Sequence, residues 1–253
     1  MNQYEPHYYE FARERGRWAE FPRKEALEAL LLNCKPGASV LEVGCGTGEV
    51  LAYLPPEIAY FGVERSEYAL SEARAKWSGR KAIFETALAS QLPFPDSMFD
   101  AALMVYVLEH LPDPKKALTE VGRVIKPGGI LILAAPNLEF PLAFPNALRH
   151  ISAGSRLVFH LKRFSDYFFR LFGAYAFRTL PSNYTTATGK YEKKDDDLAY
   201  VVSSYEVINF LKKSGWKLEA FWREKQLSGL RRIIAFFPAL RWYGVPLAAS
   251  FRK

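Results

Sequence analysis

Val40-Leu41-Glu42-Val43-Gly44-Cys45-Gly46-Thr47-Gly48 is the stretch on which the reading of this chain turns. An apolar run, Ser39–Val43, ends in a loop with glycine at every second position. Glycine permits a sharp turn there, and the missing side chains let a ligand approach the main chain. A helix expected to begin at Glu49 and to stop at Pro55-Pro56 would present free N–H groups suited to a carboxylate. A phosphate-binding loop would need Gly-Lys-Ser/Thr, but Glu49 follows Gly48. A dinucleotide fingerprint needs glycine three positions after its second glycine, and that position is again Glu49. The pattern that fits throughout is Glu-x-Gly-x-Gly-x-Gly, led by Glu42.

Short apolar runs recur on either side of the loop. Tyr60–Val63, Lys81–Glu85, Phe99–Val105 and Ile130–Ala134 read as further strands. Residues 23–33, Glu67–Trp77 (with Ser66 as its cap) and Pro114–Ile125 (with proline first) read as helices between them. Lys126-Pro127-Gly128-Gly129 reads as a turn. Nearly all-apolar strands alternating with helices predict an α/β fold, its parallel sheet covered on both faces and doubly wound.

VLEVGCGTG resembles the first motif of the class I S-adenosylmethionine-dependent methyltransferases. Three later stretches resemble the same family in order: Leu88–Asp96 (LASQLPFPD), Phe99–Leu111, and Lys126–Ile132. Together they cover roughly residues 38–136 and resemble the branch that includes quinone-biosynthesis methyltransferases. The resemblance implies a mostly parallel, seven-stranded Rossmann-like sheet with a helical insertion after the fifth strand. It implies S-adenosylmethionine as cofactor, with Gly44, Cys45, Gly46 and Gly48 around its methionine part. Glu42 would brace the loop or meet the amino group. Glu64 lies 20 residues after Gly44 and would accept from the ribose hydroxyls. Val105 would line the same site. Arg65 and Leu88 depart from the family: an apolar residue is usual at the first position and an adenine-binding acid at the second. The Arg65 stem can still cover a ring, and adenine recognition would pass to backbone groups or Ser90.

Methyl transfer from a sulfonium is an in-line displacement that depends mainly on alignment, and a base is needed only when the acceptor must lose a proton. His110, just past the fourth strand, is the candidate base. Tyr106, His110 and Tyr9 are candidate acceptor contacts, with Tyr4, His7, Tyr8 and Tyr9 forming an N-terminal lid. Cys34, Cys45 and the four histidines lack metal-ligand spacing, so no metal is expected.

The chain changes character near Asn137. Residues 1–136 carry 15 Lys/Arg against 18 Asp/Glu, net −3, and residues 137–253 carry 19 against 9, net +10. The second stretch also holds 23 of the 38 aromatics. Three segments are therefore expected: 1–136, a lid plus the cofactor half; 137–200, a substrate-recognition insertion; and 201–253, the closing helix and strands with a basic, apolar tail. In the insertion, Ser155–Phe172 reads as a helix with Leu157, Leu161, Phe164, Phe168 and Leu171 on one stripe, and Arg156, His160, Arg163 and Arg170 among them. That mixture suits a lid packed on the core, a dimer interface, or contact with lipid. Tyr205–Lys213 and the strand after Gly215-Trp216 would close the fold, and Lys193–Asp197 reads as a polar loop.

The expected acceptor is a small or lipid-like molecule. A non-catalytic S-adenosylmethionine-binding or membrane-associated module, and an RNA methyltransferase, are the alternatives. Against nucleic acid, Val105-Tyr106-Val107-Leu108 stands where a nucleobase amino methyltransferase carries Asn/Asp-Pro-Pro-aromatic. With no apolar signal core in residues 1–18, the expected location is cytoplasmic, with a peripheral membrane contact left open.

Overall fold

The computed structural model describes residues 23–136, 152–170, 172–174, 176–177, 179, 200–222 and 246–253. In chain order the elements are α1 (Arg23–Asn33), β1 (Ser39–Val43), β2 (Ala59–Glu64), α2 (Glu67–Lys76), β3 (Ala82–Thr86) and β4 (Phe99–Val105). Then come α3 (Pro114–Val124), β5 (Ile125–Ala135), α4 (Ala153–Arg170), α5 (Ser204–Lys213), β6 (Lys217–Phe221) and β7 (Leu247–Arg252). Single 3₁₀ turns lie at Glu49–Ala52 and Leu108–His110.

The seven strands form one sheet in the order β3-β2-β1-β4-β5-β7-β6. Pairs from β3 to β5 are parallel, and β7 runs antiparallel to both β5 and β6. The order reverses direction between β1 and β4, so their carboxyl ends open a crevice at the switch point.

Strand alternation sorts the apolar side chains into two cores, one on each face. Val40, Ala101, Leu103, Ile130 and Ile132 pack with Ala26 and Leu30 of α1 and Leu70 and Ala73 of α2. Leu41, Ala102, Met104, Leu131 and Leu133 pack with Leu118 and Val121 of α3 and Val207 and Leu211 of α5. This is the doubly wound arrangement expected from the sequence. Helix starts follow local chemistry: the Ser66 hydroxyl accepts from the Ala69 N–H at 3.3 Å, and the Asp113 carboxylate from the Lys116 N–H at 3.0 Å.

Three sequence expectations are corrected. The element after the glycine loop is one 3₁₀ turn, Glu49–Ala52, because Gly48 is left-handed at φ 72° and Pro55-Pro56 leave no room for a longer helix. It therefore offers no α-helix N-terminus to a carboxylate. Lys126–Gly129 is not a separate turn; it lies within β5, where a register shift opposite Phe99–Ala101 and Gly128 at φ 77° take up the irregularity. The end of the apparent tail is strand β7, with Leu247, Ala248, Ala249 and Phe251 buried between β5 and β6.

On α4 the structure adds which side of the helix faces in, a point that its period left open. Arg163 and Arg170 point inward and are 4% and 5% exposed, while Leu157, Leu161, Phe164 and Phe168 are 54–60% exposed. A buried network decides this orientation. An Arg170 guanidinium nitrogen bonds Glu206 at 3.0 Å and the Ser203 hydroxyl at 3.2 Å, and Tyr200 Oη donates to Glu206 at 3.1 Å. The Tyr4–Tyr9 lid, Lys193–Asp197 and residues 230–245 lie outside the described residues.

Candidate functional site

The crevice at the carboxyl ends of β1, β2 and β4 holds a cavity of about 340 Å³. That falls in the range of roughly 300–1,000 Å³ expected of small-molecule sites. The glycine loop forms its floor. The Gly44 and Cys45 N–H groups donate to the Val63 carbonyl, at 2.7 and 3.1 Å, tying the loop to the end of β2. Gly44 sits at φ 71°, and a Cβ there would run into Val107 Cγ2, so this position is closed to side chains twice over. Gly46 is also left-handed, at φ 53°.

The cavity lining carries the carboxylates of Glu42, Glu49, Glu64 and Asp113 and the guanidiniums of Arg23 and Arg65. Glu42, on β1, is buried and accepts a hydrogen bond from Tyr60 Oη. Burial pushes its carboxyl up to about 8; the Tyr60 bond and the nearby Arg23 charge oppose that, while Glu64 and Glu49 add to it. Glu64, at the end of β2, is oriented by three backbone donors: Gly46 N–H at 3.2 Å, Arg65 N–H at 2.7 Å and Ser66 N–H at 3.2 Å. Its carboxylate is thus fixed by main chain. Arg23 enters from the start of α1, its guanidinium 4.6 Å over the Tyr106 ring.

Among the residues singled out from the sequence, Glu42, Gly44, Cys45, Gly46, Glu64, Arg65, Leu88, Val105, Tyr106 and His110 all line this cavity. Gly48 does not: it faces Phe84 and Trp77 and shapes the loop from behind. Leu88, 58% exposed, stands at the rim, and Ser90 lines the wall. Cys45 is buried, and burial raises its thiol well above the ordinary range, which keeps it protonated and unreactive. Tyr106 holds φ 59°, a left-handed conformation costly for an aromatic residue, with its N–H on the Ala134 carbonyl at 2.7 Å. His110 lies in the 3₁₀ turn after β4, its Nε2 4.0 Å from Glu109. Tyr9 lies outside the described residues.

Sequence reasoning missed Arg23, Tyr60 and Val107. Arg23 is the first residue of α1 with nothing local to mark it, and only the fold carries it to the loop. Tyr60 could have been suspected: in a parallel pair, a polar aromatic near the level of a buried acid is a natural partner.

Residues 41–133 match the family model described as a methyltransferase domain. Relatives include a ubiquinone/menaquinone biosynthesis C-methyltransferase, UbiE, of Desulfotalea psychrophila, 36% identical over 98 residues (37% of this chain, 40% of that one). An O-methyltransferase of Pyrenophora dematioidea is 31% identical over 123 residues, 46% of each chain. The chain thus spans less than half the length of these curated relatives. Among solved structures, an S-adenosylmethionine-dependent methyltransferase from Mesorhizobium loti superposes with TM-score 0.57 at 18% identity, covering 89% of this chain and 96% of that one. One from Aquifex aeolicus gives 0.57 at 16%, covering 98% of each. These two show the fold, that of S-adenosylmethionine-dependent methyltransferases, and the family model shows that residues 41–133 of this chain match a methyltransferase domain.

Proposed function

We propose that the protein transfers a methyl group from S-adenosylmethionine to a small-molecule or lipid-like acceptor. The observation that carries this reading is the charge layout of the one cavity that the glycine loop floors. Glu42 on β1 feels the charge of Arg23, which favours its ionised form, and Glu64, which also lines the cavity, stands at the end of β2. A zwitterionic amino acid with a nucleoside attached matches that layout. Arg23 holds the carboxylate, Glu42 takes the ammonium, and Glu64 accepts from both ribose hydroxyls. The adenine lies between the Arg65 stem and Leu88, with Ser90 beside it.

The cofactor supplies a methyl group on a sulfonium, and its leaving group is a neutral thioether. The chain's own task is to align the acceptor with that methyl and to keep water out. Tyr106 and His110 border the cavity after β4, where the acceptor enters. His110 takes the proton of an acceptor that must lose one. The three-segment organisation, with 137–200 as the substrate-recognition insertion, belongs to this proposal, as does a peripheral contact with membrane. A C-methyltransferase of quinone biosynthesis and an O-methyltransferase stand among the relatives. Both chemistries remain open to this site.

Isothermal titration with S-adenosylmethionine is the first test. Saturable binding is expected, and its absence at millimolar ligand would sink the proposal. Methyl-labelled cofactor incubated with separate lipid and aqueous metabolite extracts then identifies the acceptor class.

A further inference from the structure

We infer that the outward face of α4 docks on an anionic lipid bilayer. It rests on the proposed lipid-like acceptor only for its purpose; the docking itself needs no cofactor. The helix is amphipathic in the reverse sense to a core-packed one. Its packed side carries Arg163 and Arg170, and the second is locked to Glu206 and Ser203 of the closing unit. At helical spacing Leu157, Leu161, Phe164, Phe168 and Phe169 fall on the opposite side, each 53–60% exposed. Phe172, just past the helix, is 75% exposed. With the arginines committed inward, the apolar stripe cannot turn toward the core without breaking a buried ion pair.

Charge selects the occupant. Among the described residues of α4, the exposed charged side chains are cations. Arg156 and Lys162 lie on the helix, and Lys213, also exposed, reaches the Gly173 carbonyl at 3.3 Å just beyond its end. Asp166 is the helix's single acid and is partly buried on the inner side. A second copy of the chain would bring these cations against one another. An anionic headgroup layer takes them favourably, while the stripe enters the acyl boundary. The helix lies on the surface and does not cross it: among the described residues none is long and apolar enough to span a membrane.

Co-sedimentation of the full chain with phosphatidylcholine vesicles, with and without about 30% phosphatidylserine, tests this. Binding is expected to the anionic vesicles, weakened by salt, and much less to the neutral ones. Leu161→Asp/Phe168→Asp should lower the partition roughly tenfold or more. Arg156→Ser/Lys162→Ser keeps the stripe and should flatten the salt dependence. Both variants should keep the wild-type affinity for S-adenosylmethionine, so a failure of docking and a failure of cofactor binding read out separately. Three results overturn the inference. One is absence of the wild type from both vesicle pellets. Another is self-association, abolished by Leu161→Asp/Phe168→Asp, without vesicle binding. The third is a marked fall in melting temperature for that variant, which would mean that the face is covered by the chain itself.

Discussion

Glu42→Gln removes a charge but keeps the shape of the side chain and an oxygen for Tyr60 Oη. In the ligand-free chain, burial raises the Glu42 carboxyl from 4.5 to about 8. Between those values the folded chain holds a proton that the unfolded chain has released. A raised folded value means that this group's contribution is fully present below the unfolded value and is lost as pH rises through the folded one. Each pH unit in that window weakens folding about tenfold, and the whole window amounts to on the order of 5 kcal/mol. Glutamine does not titrate. The variant should therefore match the wild type near pH 5 and exceed it in stability at pH 8, with urea midpoints as the measure. Affinity follows the opposite sign. An ammonium favours the ionised carboxylate, so binding expels the proton, and wild-type affinity should rise toward pH 8 relative to the variant. The cofactor's own amine titrates near about 7.7–8.0 in both proteins and cancels in the comparison. Calorimetry in buffers of different ionisation heat should show about one proton released per wild-type binding event near neutral pH, and fewer for the variant. Parallel stability curves together with equal proton release would refute the reasoning about Glu42.

Gly44→Ala meets both a left-handed φ and the Val107 side chain. It should cost about 1–3 kcal/mol of stability and weaken cofactor binding at least tenfold, read by denaturation and titration. Arg23→Gln should weaken S-adenosylmethionine binding by roughly 10–100-fold, as expected for loss of a charged hydrogen bond. The same variant should leave 5′-methylthioadenosine, which lacks the amino-acid end, bound as before; an equal loss for both ligands would remove Arg23 from the carboxylate role. Arg170→Met strands the Glu206 carboxylate in the interior and should cost about 3–5 kcal/mol. Adding Glu206→Leu should recover most of that, and a double-mutant cycle in urea checks it.

The order of elements and the cofactor side of the site were legible because their signals are local. The short, nearly all-apolar runs at Ser39–Val43 and Phe99–Val105 report their own burial. The glycines of Val43–Gly48 report a backbone that side chains would forbid, and Ser66 and Pro114 mark helix starts from the residue types alone. Spacing alone was enough to separate this loop from its phosphate-binding and dinucleotide-binding counterparts.

What stayed hidden depends on residues distant in sequence. Leu247–Arg252 resembles the basic, apolar stretch before it, yet it becomes a buried strand because β5 and β6 leave a gap that only an antiparallel strand fills. Arg23 comes to line the same cavity as Glu42 only because α1 is laid across the sheet. The stripe on α4 shows a helical period in the sequence, but a period cannot say which side faces in. Long-range pairing of Arg170 with Glu206, 36 residues apart, makes that choice. A buried guanidinium must find its carboxylate, and satisfying it turns six large apolar side chains outward. The sequence thus specifies the methyl-donor loop through local backbone constraint, while the tertiary structure, through one buried ion pair, decides which surface the protein shows to its surroundings.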